Sequence, residues 1–170
     1  FKLYDETTLA GTTNAIELSR ALIKFNLAAI SSSLEGKVDF SDSSFSAKLK
    51  LHDVQGNQVA PADFNLMLMP LSQSFDEGVG MDVATYSDVA ATNFITASIQ
   101  NGVVVPWNIS GARASGSLGD ESIDVISSGT LDASVGKISL SPTQYFVSGE
   151  EDLNIDVTNI VSGTVAGLIP

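Results

Sequence analysis

Over residues 21–27, Ala21, Ile23, Phe25 and Leu27 alternate with Leu22, Lys24 and Asn26, the two-residue period of a half-buried strand with Lys24 outward. Residues 46–51 repeat it, with Ala47, Leu49 and Leu51 inward and Lys48 and Lys50 outward. Residues 66–71 are apolar at five of six positions and run into Ser72-Gln73-Ser74-Phe75-Asp76-Glu77-Gly78-Val79-Gly80. That boundary predicts a strand ending in a tight turn, freed by its glycines, with Phe75 in the core beneath it. Gln55-Gly56-Asn57 marks another turn. Residues 97–100 and 103–106 flank Asn101-Gly102, the pair suited to a type I′ hairpin that needs φ > 0 at both central positions. Residues 138–140 and 145–147 predict two further strands separated by Ser141-Pro142. Leu153, Ile155 and Val157 alternate with Asn154 and Asp156, and Val157, Ile160 and Val161 then fall at helical spacing. They predict one helical turn capped by Asp156 or Thr158.

Short strands between Gly, Asn, Asp and Ser turns, with one helical turn near the C-terminus, predict an all-β fold: an antiparallel β-sandwich or jelly roll. Neither a repeat nor a long linker divides the chain, so residues 1–170 are read as a single domain, with serine-rich 31–33 and 41–46 as loops. The expected core unites Ile23, Phe25, Leu49, Leu51, Leu66, Leu68 and Phe75. At 170 residues, such a domain buries roughly two thirds of its unfolded surface.

Charge narrows the possible partners. The net charge is −12, and residues 51–170 hold two basic side chains against fourteen acidic ones. That surface repels phosphate backbones, which argues against nucleic acid and favours solubility, divalent cations or basic partners. Without cysteine there is no disulfide framework or thiolate chemistry, and the compartment stays open between cytosolic assembly and a disulfide-free extracellular protein. The charge-free stretch 89–112 is broken by Thr92, Asn93, Gln100, Asn101, Pro106 and Asn108, so no membrane span is read there. The start at Phe1 predicts a processed or trimmed end.

Candidate chemistry is sparse. His52 is the sole histidine, so a catalytic triad or multi-histidine metal site lacks partners, and an ordinary strand-end histidine is expected. Asp76 and Glu77 invite comparison with a glycosidase pair, but adjacent strand residues point to opposite faces, and a turn role suffices. Asp76, Glu77, Asp82 and Asp88 could offer oxygens to Ca²⁺. Their spacing does not fit the twelve-residue calcium loop, and a solvated acidic rim is expected, with calcium binding left open. Trp107 is either a sugar-stacking platform or, as expected, a core aromatic. Asn108-Ile109-Ser110 fits the glycosylation triplet, a pattern common by chance. No phosphate loop or dinucleotide fingerprint is present, and neither an enzymatic activity nor a cofactor is expected.

Residues 19–27, Ala47-Lys48-Leu49-Lys50-Leu51, the segment Ser74-Phe75-Asp76-Glu77-Gly78-Val79-Gly80, Trp107 with Gly111-Ala112, and Ile155-Asp156-Val157-Thr158-Asn159-Ile160-Val161 follow one another in an order that resembles the DNRLRE-type β-sandwich modules. These are similar to carbohydrate-binding domains and occur in secreted bacterial proteins and phage virion proteins. The resemblance spans nearly the whole chain. It departs after the final valine, where such modules place a Trp and this chain has Ser162-Gly163-Thr164-Val165. It implies a non-enzymatic structural or adhesive module of a virion (phage tail, fibre or capsid decoration) or other extracellular assembly, in contact with neighbouring subunits. The alternative is a carbohydrate-binding module of a secreted multidomain protein, engaging cell-surface polysaccharide. Only 7% of residues are aromatic, and sugar sites are built from exposed aromatic faces, which favours the first. Because related modules continue past the point equivalent to Pro170, the chain is expected to be one module of a longer polypeptide. An oligomer or larger assembly, pairing open strand edges, is expected as well.

Overall fold

The computed structural model describes residues 2–9, 12–52, 63–78, 91–147 and 152–170, with backbone pairing alone for those before Arg20. The described residues form eleven strands and two helices, so the chain is mostly β. They divide into two compact units: one gathers Phe1–Phe25, Leu71–Ser115 and Asp120–Val125, the other Asn26–Pro70, Gly116–Gly119 and Ile126–Pro170.

In the first unit, β1 (Lys2–Leu9) and β2 (Thr12–Ser19) pair antiparallel from Lys2↔Ser19 to Leu9↔Thr12. A second ribbon joins β5 (Thr96–Gln100) to β6 (Val103–Pro106), with a register shift between Thr96 and Ser98. Asn101 at φ 52° and Gly102 at φ 78° make the turn, as the sequence predicted. The core here is Ala97, Trp107 and Ala112, with Leu22, Leu71 and Phe75 packed against it.

The second unit is built on paired short strands. β4 (Asp63–Met67) lies antiparallel to β10 (Thr143–Val147), and β3 (Lys48–Leu51) to β11 (Leu153–Asp156). Gln144 of β10 ties the two ladders together, its Nε2 donating to the Asp152 carbonyl at 3.0 Å and its Oε1 accepting from Asn154 N at 2.7 Å. Leu153 and Ile155 are buried with Phe146, and Leu49, Phe64, Leu68 and Val157 close around them. The alternation in residues 153–157 is therefore read correctly, and Lys48 and Lys50 are exposed as expected. A small sheet runs in the order β7 (Ser115–Ser117), β8 (Val125–Thr130), β9 (Lys137–Ser139), with Ser115 and Val125 counted in the first unit.

The structure corrects several expectations. Residues 21–26 form no strand; the chain there is irregular and enters α1 (Leu27–Ser33), whose first turn is capped by Asn26 Oδ1 accepting from Ala29 N at 3.0 Å. Released from strand geometry, Leu22 turns inward while Ile23 (48%) and Phe25 (54%) are exposed. Leu51 and Leu66 are also exposed, so the seven expected core residues do not share one core. Leu49 and Leu68 pack on the Phe146 cluster, whereas Phe75 packs on the Trp107 cluster. Serines 31–33, expected in a loop, end α1. The apolar run 66–71 is no single strand: β4 stops at Met67, and Leu71 makes an isolated bridge to Val125. The C-terminal helical turn extends to α2 (Thr158–Val165), and its N-cap is Val157, with no side-chain cap hydrogen bond, rather than Asp156 or Thr158; Asp156 Oδ1, one residue earlier, accepts from Thr158 N at 2.9 Å. Gln55-Gly56-Asn57, Val79, Gly80, Asp82 and Asp88 lie outside the described residues. Among the described residues, no helix is long and apolar enough to cross a membrane.

Candidate functional site

Among the described residues of the first unit, the densest polar construction is the loop that follows the β5–β6 hairpin. Trp107 leaves β6 with its N–H donating to Ile95 O at 3.0 Å and its indole Nε1 donating to Asn93 O at 2.9 Å. Asn93 is itself fixed, its Oδ1 accepting from Ile95 N at 2.9 Å and Thr96 N at 3.0 Å. The chain then turns at Gly111 (φ 85°), whose N–H donates to Phe94 O at 2.6 Å. A Cβ at Gly111 would lie 2.5 Å from the Phe94 ring, so only glycine permits this approach.

That loop wraps around Asp124. The residue is fully buried, and its carboxylate accepts four hydrogen bonds: Oδ1 from Asn108 N at 2.6 Å and Gln73 Nε2 at 3.2 Å, Oδ2 from Ile109 N and Ala114 N, both at 3.0 Å. Its backbone is held as firmly, with N donating to Ala114 O at 2.7 Å and O accepting from Ser72 N at 2.9 Å. Beside it, the Ile123 carbonyl accepts from Ser72 Oγ and, at 2.9 Å, from Asn108 Nδ2. An ionised carboxylate offers about four lone-pair sites, and here all four are used. Asp124 has no acceptor left for a substrate proton or a cation. Its chemistry is to gather the backbone N–H groups of residues 108, 109 and 114.

The residues singled out in the sequence fall into place around this arrangement. Trp107 is a core aromatic, 4% exposed, and offers no ring face to a sugar. Asp76 is half-buried and structural: its Oδ2 accepts from Ile99 N at 2.6 Å, while its N–H donates to Thr92 Oγ1 at 2.8 Å. Thr92 Oγ1 passes the contact on to Ala97 O at 2.6 Å. Glu77 is exposed, so the adjacent acids do not converge. Among the described residues, no three Asp, Glu or His side chains gather as metal ligands. His52 is a strand-end histidine, 77% exposed, with Nδ1 2.9 Å from Asp152 Oδ2.

Exposed acids of the second unit also serve local structure. Hydrogen bonds from Ser41, first the hydroxyl and then the N–H, hold Asp39 below the usual carboxylate range; Ser44 does the same for Asp42 and Ser134 for Asp132. Asp156 is lowered chiefly by the Thr158 N–H.

Asp124 was missed by sequence reasoning. It sits in Asp120-Glu121-Ser122-Ile123-Asp124-Val125, where local pattern does not separate it from the exposed Asp120 and Glu121. Its partners come from segments ten or more residues away, and only the apolar residues beside it hint at burial. No protein-family model matches this chain, and neither a curated protein nor a solved structure matches it.

Proposed function

We propose that the chain is a non-enzymatic structural or adhesive β-sandwich module of a virion or other extracellular assembly, akin to the DNRLRE-type modules. The observation that carries this reading is a group of exposed apolar side chains on one face of a two-stranded sheet, interleaved with the exposed Asp63, Asn65 and Thr143. In the β4–β10 ladder Met67 pairs with Thr143, Asn65 with Tyr145 and Asp63 with Val147, so alternation puts Met67, Tyr145 and Val147 on one side. They are 58%, 56% and 41% exposed, while Phe146, on the other side, is buried. Exposed apolar side chains grouped on one face and flanked by polar ones are a mark of surfaces that meet partners. The polar side chains best placed for chemistry, Asp124 and Asp76, are occupied by backbone N–H groups, which also favours a structural role. The carbohydrate-binding alternative loses its tryptophan platform, because Trp107 is buried.

The test is sedimentation and native mass spectrometry of the chain with the assembly it is purified from, beside a glycan array. The expected result is association that Met67→Lys and Val147→Lys weaken. A chain that stays monomeric at all concentrations, joins no assembly and binds a polysaccharide would replace this reading with the carbohydrate-binding one. Calorimetry with and without EDTA should give one melting temperature, since a native-state metal adds its binding free energy to stability. A large drop on chelation would turn Asp76, Glu77, Asp82 and Asp88 into ligand candidates.

A further inference from the structure

We infer that the Asn101–Gly102 peptide at the tip of the β5–β6 hairpin is a self-modification site, where the Gly102 amide nitrogen attacks the Asn101 side chain and converts it to aspartate and isoaspartate. Asn101-Gly102 is the chain's sole Asn-Gly pair. Both residues are exposed, Gly102 carries no side chain, and a Cβ built on it would meet nothing within 4 Å beyond its own chain neighbours, so the space at Gly102 is open. Four other described asparagines are engaged or hindered. Asn93 accepts two backbone N–H groups, Asn108 donates to Ile123 O and Asn26 caps α1, while Asn154 precedes a β-branched isoleucine.

The step balances without a co-reactant beyond water. Gly102 N gives its proton to solvent base and bonds to Asn101 Cγ; the C–N bond of the side-chain amide breaks, and ammonia leaves a five-membered succinimide. Water then opens either imide carbonyl. Opening at one yields aspartate; opening at the other yields isoaspartate, which routes the main chain through Cβ. Both products add a negative charge to the stretch 89–112, which otherwise has none. Isoaspartate also adds a backbone atom to a two-residue loop whose φ values set the Gln100↔Val103 pairing. Modification at this tip therefore changes both charge and register of the hairpin, independently of the function proposed above.

The test incubates the folded chain at mildly alkaline pH, beside the same chain in denaturant, with peptide mapping by mass spectrometry and isoaspartate scored by enzymatic methylation. The expected result is conversion of the folded chain at Asn101, rising in proportion to hydroxide, lost in Asn101→Gln and slowed in Gly102→Ala. If the folded chain keeps Asn101 intact, whether or not the denatured chain converts, the turn protects the site and the inference fails. It also fails if folded-state conversion centres on another asparagine.

Discussion

The two units bury different chemistry. In the first, Trp107 and two alanines form the buried apolar cluster, with Leu22, Leu71 and Phe75 packed against it, and a fully buried carboxylate is held by hydrogen bonds to backbone N–H groups. In the second, Phe146 stacks on Phe64 with ring centroids 4.7 Å apart, and Leu153 and Ile155 fill in beside them. A core held by Asp124 depends on direction: its four N–H donors are satisfied only while the loop keeps one conformation, and each is costly when orphaned. A core of rings and aliphatics depends on volume, and losses there scale with the atoms removed.

The largest effect separating the two should come from Asp124→Ala. It leaves the N–H groups of Asn108, Ile109 and Ala114 without their acceptor, and about 4–5 kcal/mol should be lost, since each hydrogen bond to a charged acceptor, part-buried at Asn108 and Ile109 and buried at Ala114, contributes about 1.5–3 kcal/mol. Fluorescence of Trp107, the single tryptophan, reads this unit directly in a denaturant titration. Phe146→Ala should cost the second unit about 3–4 kcal/mol, read by amide exchange at Leu153 and Ile155. If Asp124→Ala proves milder than Phe146→Ala, the directional reading of the first unit is wrong.

How much of this was legible in the sequence follows from how local each cause is. The β5–β6 hairpin was readable because Asn101-Gly102 meets its own backbone requirement, and β11 because one face of a short strand shows as plain alternation. Residues 21–27 show why alternation can mislead. The same residues that alternate as a strand place Asn26 ahead of Leu27, Ile30 and Leu34 at helical spacing, and the cap decides for α1. Trp107 was placed in the core from its size alone. Asp124 was out of reach, because burial of a charge is set by the distant N–H groups that satisfy it.

Smaller effects sharpen the contrast. Gly111→Ala should cost the first unit about 2–3 kcal/mol, from a left-handed φ and a clash with Phe94, whereas Gly102→Ala, with open space around it, should cost about 1 kcal/mol from φ alone. Equal losses at the two glycines would show that Phe94 yields freely.

The smallest effect is in acid. Asp39, Asp42, Asp132 and Asp156 all lie in the second unit, and each carboxyl is lowered from 3.8 by hydrogen bonds to its ionised form. Their contribution is present above that ordinary value and is lost as pH falls through the lower folded-state values. Amide signals of Ser41, Ser44, Ser134 and Thr158 should therefore shift only below the usual carboxylate range. A shift centred at 3.8 or above would remove these turns from the account.

The most direct test of the central claim, that the buried carboxylate organises backbone rather than serving a ligand, is hydrogen exchange at the amides of Asn108, Ile109 and Ala114. The account predicts that all three are strongly protected in the unmodified protein, although residues 108 and 109 are exposed, and that all three lose protection together in Asp124→Ala. Fast exchange at these amides in the unmodified protein would contradict it, leaving the Asp124 carboxylate free to hold something else.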